Sequence, residues 1–116
     1  MLTETIEIKL ATLPQSPPPI VEQAVIMATL KRLDSYGWRV KSISSPYFSK
    51  VTLDTIISEI SDIDDYVRID VQHVDSGKEG WLLYVPGNHL DCIVDYTNNL
   101  PNDPIGYAYR LVEESL

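Results

Sequence analysis

The chain has 116 residues, 9 basic against 17 acidic, and so a formal net charge of −8, with an apolar content of 44% that is typical of globular domains rather than disordered chains. The basic residues are scattered and form no stripe for a nucleic-acid backbone, and no apolar run approaches the roughly 20 residues of a membrane span. We therefore expect one acidic domain over residues 1–116, with no direct nucleic-acid contact and no membrane contact.

The first part of the chain predicts a strand followed by a helix. Apolar and polar residues alternate over 3–11, a pattern typical of a half-buried strand. A proline-rich loop, 12–19, leads into a helix over 20–36 that repeats apolar residues at helical spacing. Its charged residues, Glu22 among them, are expected opposite the apolar stripe, and Gly37 is expected to end the helix.

A second strand is predicted over 38–44 and a second helix over 53–61, joined by a connector at 45–50. Isoleucines at helical spacing favour the helix despite their β-branching. The acidic run that follows, 62–65, brings carboxylates together as a calcium site does, but its spacing lacks the EF-hand glycine and glutamate. A solvated turn is the better interpretation of this run.

The last part of the chain predicts an antiparallel meander and a final helix. The expected strands are 66–74, 81–85 and 90–96, and the helix starts at Pro104 behind an Asp103 cap. The order β-α-β-α-β-β-β-α predicts an α+β two-layer sandwich with the helices on one face of the sheet.

The sheet face that the helices leave uncovered is the predicted interaction site. Alternation places on it Arg68, Asp70 and Gln72, then Leu82 and Tyr84, then Asp91, Ile93 and Asp95. Such a mixture of aromatic, aliphatic and charged residues is typical of binding surfaces, although a solvated face with cross-strand ion pairs has the same composition. The predicted contact set is Arg68, Asp70, Tyr84, Asp91 and Asp95.

This surface predicts a non-enzymatic module that binds another protein or a second copy of itself, with no cofactor and no metal. Because Cys92 is the only cysteine and the N-terminus lacks a signal-peptide pattern, we expect the cytoplasm.

Two alternatives assign chemistry to the chain. A metal-dependent or hydrolytic enzyme would bring His73, His89 and Asp91 together, and Cys92 would be its nucleophile if it were not on the core side of its strand. The residue spacing matches no known metalloenzyme motif.

A regulatory domain would instead bind a small ligand in a pocket between helices and sheet, lined by Trp38 and Trp81. The Gly87-Asn88 turn has backbone amides suited to an anion, but lacks the glycine spacing of phosphate-binding loops. A tight turn is expected there.

Overall fold

A computed structural model describes residues 19–44, 48–60, 66–101 and 103–116. It confirms the predicted α+β class, with three α-helices and a five-stranded antiparallel sheet. The strand predicted over 3–11 and the acidic run at 62–65 lie outside the described residues.

Two helices and two strands precede the meander, in the order helix, strand, strand, helix. The helices are α1 (Ile20–Ser35), α2 (Ile56–Ile60) and α3 (Asp103–Ser115). The strands are β1 (Trp38–Ser44), β2 (Phe48–Lys50), β3 (Val67–His73), β4 (Glu79–Tyr84) and β5 (Ile93–Tyr96), which lie side by side in the order β2-β1-β3-β4-β5.

Several bounds differ from the sequence prediction, and two of the differences lie in the edge strands of the sheet. The connector at 45–50 contains β2, which is only three residues long and pairs with the end of β1. The strand predicted over 90–96 begins only at Ile93, because His89–Asp91 forms a 3-10 turn. A positive φ of 57° at His89 turns the chain away from the extended conformation just before this point.

The inner face of the sheet, which we define by Ile43, Ile69 and Leu82, is turned toward the helices. These side chains share one apolar core with α1, with the isoleucines of α2 and with Ala108 and Val112 of α3. Full burial of each such aliphatic side chain contributes about 1.5–3 kcal/mol. Because α1 lies between the sheet, α3 and the 3-10 turn, it is buried from Glu22 to Leu30, polar residues included.

The outer face carries the side chains that alternate with those of the core. They are Arg39, Ser42 and Ser44 of β1, Arg68, Asp70 and Gln72 of β3, and Glu79, Trp81 and Leu83 of β4. Lys50 of β2 and Asp95 of β5 extend this face, since they pair with Ser42 and Leu83. No helix among the described residues lies over the outer face.

The predicted side-chain directions were wrong for Leu82 and Tyr84 of β4 and for Ile93 of β5, and right for Asp95 of β5. Leu82 and Tyr84 point to the inner face, because Leu82 pairs directly with Ile69, and Tyr84 with Val67. Tyr84 is only 1% exposed. Ile93 pairs with Tyr84 and packs against the core as well. Directly paired residues of antiparallel strands share a face, so the hairpin register decides all three positions.

The sheet contains two irregularities in register. Between Val40 and Ser42 the pairing of β1 with β3 shifts, and Lys41 is the extra residue. Between Leu83 and Tyr84 the pairing of β4 with β5 shifts in the same way.

In the described part of the chain, no helix combines the length and apolar character needed to cross a bilayer.

Candidate functional site

The outer face is built around Asp70, in the middle of the central strand. Its carboxylate accepts hydrogen bonds from the hydroxyls of Ser42, at 3.3 Å, and Ser44, at 3.1 Å. Arg68 Nε forms an ion pair with the other carboxylate oxygen at 3.0 Å. These contacts orient Asp70 and Arg68 across strands β1 and β3, so the two charged groups are held in place on the sheet.

A shallow depression of about 430 Å³ lies beside Asp70. Ser42, which is 2% exposed, lies at its floor, because its small side chain leaves space between longer neighbours. Half-buried Trp81 forms one wall, and the ion pair of Lys41 Nζ with Glu79 Oε1, at 2.7 Å, borders another. An aromatic side chain surrounded by charged groups is the usual centre of a protein interface.

Charge is distributed unevenly across this face. Its basic side chains lie toward the β2 edge and the centre, on β2, β1 and β3, and are Lys50, Arg39, Lys41 and Arg68. Its acidic side chains lie from the centre toward the β5 edge, on β3, β4 and β5, and are Asp70, Glu79 and Asp95. The outer face is therefore not acidic, although the whole chain has a net charge of −8.

The structure brings together only part of the predicted contact set. Arg68, Asp70 and Asp95 lie on the outer face. Tyr84 does not, because its ring enters the core. Asp91 does not either, because it belongs to the 3-10 turn, which contacts α1 and α3 on the helix side of the sheet.

A second polar cluster, the Glu22 cluster, lies inside the molecule. The Glu22 carboxylate, 1% exposed, accepts hydrogen bonds from the Tyr84 hydroxyl at 2.8 Å, from Gly87 N at 3.1 Å and from His89 N at 2.9 Å. The expectation that Glu22 faces solvent was wrong, because these donors compensate for the lost hydration of a buried charge. The backbone amides of the Pro86–His89 turn thus bind an anion that belongs to the chain itself.

The thiol of Cys92 lies in the core and is chemically quiet. It is fully buried, and burial, with the nearby charge of Glu22, raises its pKa from 9.0 to about 12. Burial and the hydrogen bond to Glu22 likewise raise the pKa of Tyr84. Both groups therefore remain protonated at neutral pH, and Cys92 supplies no thiolate for nucleophilic catalysis.

The histidines do not converge as the enzyme alternative requires. His73 ends β3, whereas His89 lies beyond Tyr84, which pairs with Val67 at the other end of β3. Seven strand residues separate these ends, a distance of about 20 Å. Across the described ranges, no group of three His, Cys, Asp or Glu residues is arranged to hold a metal ion.

The two tryptophans do not line a common pocket. Trp38 is 6% exposed in the core, where its ring meets the His73 imidazole edge-on at 5.3 Å between centroids. Trp81 lies on the outer face beside Asp70. The sheet therefore separates the residues that the ligand-pocket alternative combines.

Comparison of the chain with models of protein families, with curated proteins and with solved structures finds no match.

The sequence prediction missed Ser42, Glu79 and Trp81. The length of the hairpin loop decides the positions of two of them. His73 N bonds to Lys78 O, so the loop is shorter than the predicted 75–80 and β4 starts at Glu79. Pairing outward from that point places Glu79 and Trp81 opposite Gln72 and Asp70.

Proposed function

We propose that the protein is a non-enzymatic binding module and that its outer face docks a protein partner. The observation that supports this proposal best is the position of Trp81, a half-buried aromatic residue on a sheet face that no described helix covers. Trp81 lies next to a depression and is surrounded by ion pairs, and a tryptophan in such surroundings is typical of the centre of a protein interface.

The charges on the face define the chemistry of the partner. Its centre must cover Trp81 and Leu83 with apolar side chains, and its rim must offer carboxylates to the basic side formed by Arg39, Lys41 and Lys50. Opposite charges at the rim steer the encounter and fix orientation, while the buried aromatic contributes most of the affinity.

The test uses a photo-crosslinking residue at position 83 in the full chain, with position 109 on α3 as the control. We expect position 83 to give one discrete protein adduct that position 109 does not give. The captured chain, purified, should then bind the wild type, and Trp81→Ala should raise Kd by about thirtyfold, as an interface-centre tryptophan does. Tyr109→Ala should leave Kd unchanged.

Three results would contradict the proposal. They are equal cross-linking from positions 83 and 109, an adduct to the same polypeptide chain, and a Kd that Trp81→Ala does not change. An adduct within one chain would mean that the protein covers its own outer face.

A further inference from the structure

We propose that the occupant of the outer face is a second copy of this chain. The two copies meet face to face about a two-fold axis that lies between the two faces, parallel to β3. This inference rests on the proposed function and names its partner. It follows from the charge distribution, since basic residues lie toward the β2 edge and acidic residues toward the β5 edge.

Rotation about β3 places β1 and β2 of one copy over β4 and β5 of the other. A two-fold interface uses the same surface on both copies, so each contact occurs twice. The basic half of each copy then lies over the acidic half of the other. A two-fold axis perpendicular to the strands would instead place basic over basic residues, which is repulsive.

The strand register gives the opposing residues. Arg39, Gln72 and Glu79 form one row across the sheet, so Arg39 of one copy lies over Glu79 of the other. Each already has an ion-pair partner in its own chain, Asp34 for Arg39 and Lys41 for Glu79, so this contact would extend existing pairs. Lys50 and Asp95 are two positions apart along the strands, about 7 Å, within reach of a lysine side chain.

The same rotation matches shapes at the centre. Ser42, Asp70 and Trp81 form another row, so Trp81 of one copy lies over Ser42 of the other. Ser42 is the floor of the depression, and its small side chain leaves room for an indole ring. Arg68 and Asp70 lie on the axis, so each faces the same residue of the other copy. Within each chain they form an ion pair, so the two facing pairs carry no net charge.

The size of the face sets the expected strength. Five short strands about 4.8 Å apart give roughly 500 Å² per copy, and a face-to-face pair buries roughly 1,000 Å² in total. That area is at the lower limit of specific interfaces, so we expect a reversible dimer whose population depends on concentration. The remaining surface of each copy is acidic and repels the other copy elsewhere.

The experiment is a charge exchange between Lys50 and Asp95, followed by sedimentation velocity over a concentration series. Lys50→Glu and Asp95→Lys should each raise the dimer Kd by about tenfold, because each change affects two symmetric contacts. The double variant should recover the wild-type Kd to within about threefold. Lys31 is an exposed residue near the end of α1, and Lys31→Glu changes the net charge as Lys50→Glu does but should leave the dimer unchanged.

Asp95→Lys separates specific pairing from general repulsion. It makes each copy less negative, so general repulsion alone predicts a tighter dimer, whereas the proposed contact predicts a weaker one. Lys50, Asp95 and Lys31 are all exposed, and equal thermal midpoints will show that the variants fold. A tighter Asp95→Lys dimer, or a double variant that does not recover, overturns the two-fold arrangement.

The two proposals fail separately. The wild type could be monomeric at every concentration while position 83 still captures another protein in a Trp81-dependent way. That result overturns the proposal of a second copy and supports the proposal of a binding module. A monomer with no Trp81-dependent capture overturns both.

Discussion

The Tyr84 hydroxyl donates a 2.8 Å hydrogen bond to the Glu22 carboxylate, and so joins the end of β4 to the first turn of α1 across 62 positions of sequence. With the amides of Gly87 and His89 on the same carboxylate, this contact fixes the turn between β4 and β5 against the helix. Removing the acceptor leaves the buried Tyr84 hydroxyl and two part-buried amides without a partner, and an unpaired buried donor is costly.

Glu22→Ala is therefore expected to lower the free energy of unfolding by about 2–4 kcal/mol, and Tyr84→Phe by about 1–2 kcal/mol. Urea denaturation of both variants and of the double variant measures the coupling between the two residues. Tyr107→Phe keeps the ring that lies 4.5 Å from the Arg32 guanidinium, and should change stability by under about 0.5 kcal/mol. Additive losses from Glu22→Ala and Tyr84→Phe would show that their hydrogen bond contributes nothing.

Cys92 should make the protein less stable in alkali. The folded chain keeps the thiol protonated until its pKa of about 12, whereas in the unfolded chain it ionises above 9.0. The unfolded state loses the proton first. The contribution of the protonated thiol to the free energy of unfolding is therefore fully present below pH 9.0, and it is lost between pH 9.0 and about 12, by up to about 1.4 kcal/mol per pH unit. The free energy of unfolding of the wild type and of Cys92→Ala should be measured by denaturation across this pH range. Only the wild type should show this additional fall in the free energy of unfolding with pH.

Thiol labelling gives an independent check of the same burial. At pH 8 the native protein should react with a thiol reagent only after denaturant is added. Rapid labelling without denaturant would contradict both the burial of Cys92 and the alkaline slope.

Gly37 has a backbone conformation that suits glycine, and it lies against the His73 side chain. Gly37→Ala should therefore destabilise the fold for two reasons. Its φ of +89° disfavours any Cβ by about 1–2 kcal/mol, and the added atom would lie 2.9 Å from His73 Nε2. Gly77, with a φ of +73° and open space around it, is the matched control for the first reason alone. Thermal denaturation should show a larger loss for Gly37→Ala than for Gly77→Ala.

The additional loss should depend on His73. In a His73→Ala background, Gly37→Ala should be destabilising by no more than Gly77→Ala is in the wild type. His73→Ala alone should also weaken the hairpin, because His73 Nδ1 accepts hydrogen bonds from the amides of Asp75 and Ser76. An unchanged penalty in this background would exclude the steric contact.

Two other glycines should respond in opposite directions to alanine. A Cβ at Gly80 would lie 2.7 Å from Thr97 Oγ1 and 2.9 Å from Leu100 Cδ2, so Gly80→Ala should be destabilising by about 1–3 kcal/mol. Gly106 lies inside α3 with 3.6 Å to its nearest neighbour, so Gly106→Ala should stabilise by about 0.5–1 kcal/mol. Chemical denaturation of the two variants decides both signs.

Local patterns of sequence predicted most elements. The apolar repeat of α1, the alternation of β3 and the Asp103-Pro104 start of α3 all appear close to the expected positions. Each of these signals comes from neighbours in sequence, where the period of the chain and the backbone preferences act directly.

The errors concern positions that tertiary contacts decide. The end of β4 consists of apolar or aromatic residues only, Trp81, Leu82, Leu83 and Tyr84. Without alternation between apolar and polar residues, the sequence does not show which of them face the core, and only the pairing with β3 does. Glu22 was placed outside because a charge is normally solvated, and its donors come from a turn more than sixty residues away. The outer face was predicted as a location, but its central residue, Trp81, was not.

The borders of the sheet have a consequence for how chains meet. Among the residues that the structure describes, one border is the three-residue β2, which ends in a lysine, and the other is the four-residue β5, whose pairing shifts beside Leu83. Brief, charged or kinked margins are poor templates for adding further strands, and natural proteins use them to avoid ribbon-like polymers. Concentrated solutions of this protein should accordingly resist fibril growth.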